Sequence, residues 1–190
     1  NSSFSILSAI RQIVSSNLDI TVWNLSLGSV SESPENAISP EAAILDDLQH
    51  EYGVIFVVAG TNKTTGDDPN KSKRVGAPAD SINALVVNAT SILREPASYT
   101  REGPVLHFFR KPDISCFGGD DTEQMVVYKP GGIVLASGTS FAAPWIARKM
   151  AYLIHVMNLS RETAKALLID AASGWGTMSA DNVRLGYGIV

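Results

Sequence analysis

Cysteine is nearly absent: Cys116 is the one thiol in 190 residues. That excludes an internal disulfide and a cysteine-cluster zinc site, and leaves the thiol as a structural side chain. Long apolar runs are lacking as well. The longest strong one, Val54 to Ala59, has the length of a strand and not of a membrane span. Positive charge is not in excess, because 15 Lys and Arg face 19 Asp and Glu for a net charge of −4. Such a balance gives no electrostatic reason to expect nucleic acid or an anionic membrane as partner. The chain does not start with methionine and shows no signal-peptide pattern, so it is expected to be an excised or processed piece. Internal repeats, linkers and low-complexity tracts are also missing, and one domain over residues 1–190 is the economical reading.

What is present fits a packed α/β domain. An apolar fraction of 45% with 18% charged residues is ordinary for a globular chain long enough to bury a core. Strand-sized apolar runs alternate with helical patterns, as in a parallel sheet covered by helices. Ser5 to Ser16 places Ile6, Leu7, Ile10, Ile13 and Val14 at helical spacing, and Ile20 to Leu27 reads as a strand. Ser39-Pro40-Glu41 has the form of a helix start, with a cap, a proline at the first helical position and an acid beside it. That helix is expected to end near Tyr52-Gly53, before strands at Val54–Ala59 and Ala84–Ala89. The polar run from Thr61 to Lys73 is a surface loop. Between Ser91 and Gly132 the pattern weakens, with short strands expected near Val105–Phe109 and Gln124–Tyr128. Helices follow over Ser140–Met157 and, capped by Ser160, over Arg161–Ala172. Asn24 and Asn88 begin glycosylation sequons but fall inside expected strands, so these sequons read as chance.

The chemistry concentrates at Gly138-Thr139-Ser140-Phe141-Ala142-Ala143-Pro144. A lone serine at a helix start is ordinarily a cap. Here Gly138 permits close backbone approach, Ala142 and Ala143 permit tight packing behind the serine, and Pro144 is expected to fall in the first turn. Ser140 would then sit at the positive end of a helix dipole, where charge developing on a substrate oxygen is stabilised.

This run resembles the Gly-Thr-Ser-x-Ala-x-Pro signature of the subtilisin-like serine proteases. Asn24-Leu25-Ser26-Leu27-Gly28 resembles the family's substrate-binding strand, and Val57-Val58-Ala59-Gly60 followed by Asn62 its strand and oxyanion turn. Gly76-Ala77-Pro78-Ala79, Lys111-Pro112-Asp113-Ile114 and Gly186-Tyr187-Gly188-Ile189-Val190 follow family usage too, in family order along nearly the whole chain.

The resemblance implies a three-layer α/β fold with a parallel sheet, incomplete at its N-terminal side. It implies acyl transfer to Ser140, with Asn62 and the Ser140 backbone N–H holding the oxyanion. A peptide or protein substrate would run as a strand beside Ser26, Leu27 and Gly28, with the pocket for its acyl-side residue between that strand and Ala59-Gly60, and Thr139 close by. Neither wall carries a charge, so an apolar or neutral residue is expected there.

Two departures stand out. The family places Asn directly after Gly, whereas here Thr61 intervenes. Either the turn is one residue longer or Thr61 takes the oxyanion position. The triad partners are the second departure. In subtilisin the histidine precedes the serine by roughly 150–160 residues, and Ser140 has 139 residues before it. The triad Asp and His are thus expected upstream of Asn1, and the chain alone is expected to be inactive. His155 lies about four turns from Ser140 on one helix, His50 ends a surface helix, and His107 sits in a poorly defined segment. The unpaired sheet edge is expected to be covered by the missing N-terminal segment or by another copy. The competing reading is a catalytically dead module that binds peptide or a partner. Asp67, Asp68 and Asn70, like Asp120, Asp121 and Glu123, are oxygen-rich enough for calcium but read as solvated acidic turns, and no cofactor or metal is expected.

Overall fold

The computed structural model describes residues 2–68, 71–173 and 182–190. Its order begins α1 (Ser2–Ser15), β1 (Val22–Leu25), α2 (Pro40–Tyr52), β2 (Ile55–Ala59), β3 (Leu85–Thr90) and β4 (Ile114–Phe117). The hairpin β5 (Met125–Lys129) and β6 (Gly132–Ala136) follows, then α3 (Thr139–His155), α4 (Arg161–Asp170) and the short α5 (Asn182–Leu185). β1 to β4 form a parallel sheet in sequence order.

Both central strands are apolar on both faces, and each face builds its own core. Ile55, Val57, Ala59, Leu85, Val87 and Ala89 pack with Ala142, Ala143, Ile146 and Met150 of α3 and with Ala164 and Leu168 of α4. Phe56, Val58, Ala84 and Val86 pack on the opposite side with Val14 of α1 and with Leu45 and Leu48 of α2. The three-layer α/β architecture therefore follows from period-2 alternation in strands that carry apolar side chains on both faces, with Asn88 and Thr90 the polar exceptions in β3.

Local signals account for the helix ends. Ser39 caps α2 by accepting the Ala42 N–H, Pro40 opens it, and Gly53 ends it in a left-handed conformation at φ 67°. Asp80, fully buried, accepts from the Ser39 N–H at 2.6 Å and from its hydroxyl at 2.8 Å, so the cap is tied to the loop before β3. Ser160 caps α4 through the Thr163 N–H.

The weakly patterned stretch differs from expectation. Val105 and Phe109 exchange backbone bonds across a tight turn in which Leu106 and His107 have positive φ, so no strand forms there. Met125–Lys129 is a strand, but it pairs with Gly132–Ala136 in an antiparallel hairpin separate from the main sheet. β4 forms in a segment without strong periodicity because its buried partners are distant in sequence: β3 on one side and a parallel bridge to Ile189 on the other. β1 is shorter than the apolar run suggests. Asn24 within it is exposed, since no described strand pairs with its outer edge.

Candidate active site

Ser140 is the second residue of α3, half-buried, at the C-terminal end of the sheet. The turn before it is anchored by the Gly138 N–H, which donates to Gly118 O at 3.0 Å. Behind that anchor Tyr99 donates its hydroxyl to Gly119 O at 2.6 Å, and burial pushes its phenol well above the usual range. Thr139 and Phe141 both spend their N–H groups, on Asn62 Oδ1 and on Gly138 O. The Ser140 N–H between them has no acceptor among the described residues, as the first turn of a helix allows.

Asn62 stands beside this turn. Its Oδ1 accepts from the Thr139 N–H at 3.2 Å and from the Thr139 hydroxyl at 2.9 Å. A backbone N–H can only donate, so the atom facing Thr139 must be the oxygen, and the amide Nδ2 is turned outward. Nδ2 lies 3.2 Å from where a Cβ on Gly138 would sit, a tight contact at a residue whose φ is also 156°. The backbone of Asn62 is fixed as well, its carbonyl accepting from Arg101 Nε at 2.9 Å. Two donors without a partner among the described residues, Asn62 Nδ2 and the Ser140 N–H, thus flank the turn that opens α3.

Thr61, the extra residue, points the other way. It has φ 68°, its side chain is buried, and its hydroxyl donates to Gly60 O at 2.6 Å and accepts from the Gly76 N–H at 3.0 Å. The turn is one residue longer, and it is Asn62 that meets Thr139.

Pro144 requires a correction. It lies in the second turn of α3, where its missing N–H would have bonded the Ser140 carbonyl. Ser26 Oγ donates to that carbonyl instead, at 3.2 Å. A residue of the expected substrate strand therefore closes the gap the proline opens. Ser26→Ala is expected to lower stability by about 1–2 kcal/mol, since the Ser140 carbonyl loses its protein donor. Chemical denaturation of the variant against its parent measures this.

The other expected site residues surround the same turn to different degrees. Leu27 is 54% exposed and Gly28 exposed beyond the end of β1, whereas Ala59, Gly60 and Thr139 are buried and back the site. Asp67 is committed internally: both its oxygens lie 2.7 Å from Lys73 Nζ, which holds the carboxyl well below the usual carboxylate range together with the Thr64 N–H. Asn70 lies outside the described residues. Asp120 accepts from Thr122 and from the Glu123 N–H within one turn. None of the three histidines reaches Ser140. His155 Nε2 is 3.0 Å from Thr21 Oγ1 at the far end of α3, His107 Nε2 is 2.6 Å from Asn36 Oδ1, and His50 is exposed in α2.

Arg101 was not foreseeable. It is 1% exposed, and besides Asn62 O its guanidinium bonds Ser29 O at 3.1 Å, Val30 O at 2.8 Å and Ser31 O at 3.3 Å. One cation thus joins the loop after β1 to the Asn62 turn. An arginine between Thr100 and Glu102 carries no sequence signal for burial. Asn88 did carry one: an amide inside the apolar run Leu85–Thr90 must find partners. Its Nδ2 donates to Arg101 O and to Arg184 O, both at 2.7 Å, while its Oδ1 lies 2.0 Å from where a Cβ on Gly60 would stand.

The sequence profile of the Subtilase family matches residues 1–188. The chain belongs to the subtilase family. It is 29% identical over 152 residues to the Subtilisin-like serine protease Pen ch 13 of Penicillium rubens, a match covering 80% of this chain and 33% of that protein. It is 28% identical over 144 residues to Subtilisin-like protease 1 of Trichophyton equinum, covering 75% of this chain and 24% of that one. The chain therefore spans a third or less of the length of these curated subtilase relatives. Among solved structures, the prenylagaramide maturation protease PagA superposes with a TM-score of 0.76 at 21% identity, over 98% of this chain and 64% of that one. The patellamide maturation protease PatA gives 0.72 at 20% identity, over 97% and 64%. At such identity these two likenesses are of the subtilase fold alone.

Proposed function

We propose that this chain is the nucleophile-bearing part of a subtilase-type serine endopeptidase. Ser140 Oγ attacks the peptide carbonyl while a histidine takes its proton and passes it to the leaving amine. Water then repeats the sequence to release the acyl group. Asn62 Nδ2 and the Ser140 N–H receive the oxyanion. The observation that carries the reading is the amide of Asn62, held by both donors of Thr139 so that its N–H₂ faces outward beside Ser140.

The triad His and Asp are supplied from outside these 190 residues, and the chain alone is inactive. This accords with the engagement of His155 and His107 elsewhere and with the exposure of His50. The segment that brings them covers the free edge of β1. α3 lies along β1, from Ser26 at its start to Thr21 at its end, and carries exposed Trp145 and Tyr152, with Val156 exposed just beyond it, apolar surface that a further layer would bury.

Labelling of the intact parent protein with a fluorophosphonate probe, followed by mapping of the modified peptide, tests the proposal. Modification at Ser140 that disappears on denaturation is the expected result. A folded parent that stays unlabelled would overturn it in favour of a module that binds peptide without cleaving it.

A further inference from the structure

The geometry points to Thr61 as a plug in the pocket for the acyl-side residue of the substrate, restricting that residue to glycine, alanine or serine. The inference rests on the reading that a peptide lies along Ser26-Leu27-Gly28, whether it is then cleaved or only bound. Under that reading the pocket opens between Gly28 and the Ala59-Gly60 exit of β2.

The extra residue in the turn must put its side chain somewhere, and it goes between those two walls. The Thr61 methyl Cγ2 lies 2.3 Å from where a Cβ on Gly28 would be built, so it rests directly on the Gly28 backbone. The hydroxyl bonds Gly60 O on the other wall and the Gly76 N–H. Gly76 is closed in turn from behind: a Cβ there would meet Ser29 O at 2.4 Å and Arg101 Nη1 at 2.8 Å. Thr61 thus touches the backbones of Gly28, Gly60 and Gly76 with one side chain that is 6% exposed. Thr61 adopts φ 68°, an angle that β-branched residues rarely take. Its two hydrogen bonds orient the side chain so that the methyl faces Gly28, and a bulky substrate side chain would have to displace that methyl to enter.

The substitution that isolates the effect is Thr61→Ser, which deletes the methyl and keeps the hydroxyl. Thr61→Val is its complement, keeping the methyl and losing the hydroxyl. The intact parent protein is profiled with peptides differing only at the acyl-side residue, Ala against Leu and Phe. Binding of the corresponding product peptides, ending in Ala or Phe, is measured in parallel by calorimetry.

The parent is expected to favour Ala over Phe by at least about ten-fold in kcat/KM, the size of effect that one methyl-scale steric change supports. Thr61→Ser is expected to reduce that ratio by a similar factor, and Thr61→Val to retain it. A parent that prefers Leu or Phe, or a Thr61→Ser variant with an unchanged ratio, would overturn the plug. A parent without turnover whose binding still favours Ala-ended peptides upholds it and removes only the protease reading. Equal binding of both peptides without turnover, or binding of neither, overturns it.

Discussion

Replacing Asn62 with Ala is expected to lower kcat of the assembled protease by about 100- to 1000-fold with little change in KM. That magnitude is the one established for the corresponding side-chain donor in subtilisin. The direction does follow from the site. Asn62 Nδ2 makes no bond to a described residue, while its Oδ1 is held by Thr139. A donor placed before reaction strengthens as negative charge develops and needs no reorganisation, so its loss falls on the transition state and not on substrate binding. Asn62→Asp should be as damaging, because it puts an acceptor where a donor is needed. Steady-state kinetics decide the matter. A loss confined to KM would place Asn62 in substrate binding, and unchanged kinetics would leave it a turn residue.

Arg101→Ala is expected to remove about 3–5 kcal/mol of stability. The guanidinium is the donor for four carbonyls, those of Ser29, Val30, Ser31 and Asn62. Each buried carbonyl left without a donor costs about 1–3 kcal/mol, less where water can enter. Against a total of about 5–15 kcal/mol for a domain, such a loss is large. Arg101→Lys should recover only part of it, because an ammonium cannot reach four acceptors spread across two chain segments as a planar fork does. Urea unfolding measures both variants. A loss below about 1 kcal/mol for Arg101→Ala would show that the two segments hold their geometry without the cation.

The two residues are coupled, because Arg101 grips the backbone of the residue whose side chain is the proposed oxyanion donor. Losses of stability and of kcat are therefore expected to appear together in Arg101→Lys, even where the variant folds. In Asn62→Ala the loss should be almost wholly catalytic.

Much of this protein was legible in the chain itself because its determinants are local. The cap at Ser39 with Pro40, the stop at Gly53 and the cap at Ser160 depend on groups within a few residues of one another. The apolar runs that became β2 and β3 need only a buried sheet, and the Gly138–Pro144 motif marks Ser140 without any knowledge of its surroundings. Less was readable where a segment takes its conformation from distant partners. β4 exists through β3 and Ile189, and the hairpin strand Gly132–Ala136 through Met125–Lys129.

The site divides in the same way. Sequence alone named Ser140 and offered Asn62 and Thr61 as rivals for one position. Tertiary structure sends their side chains to different places, because Thr139, 77 residues beyond Asn62, supplies the two donors that fix its amide, while Gly28 and Gly76 receive Thr61. Structure alone also showed that Ser26 replaces the bond Pro144 cannot make and that Arg101 is buried. Capping and periodicity are written within single turns of chain. The orientation of an amide and the burial of a cation are decided by carbonyls and N–H groups that only folding brings into reach.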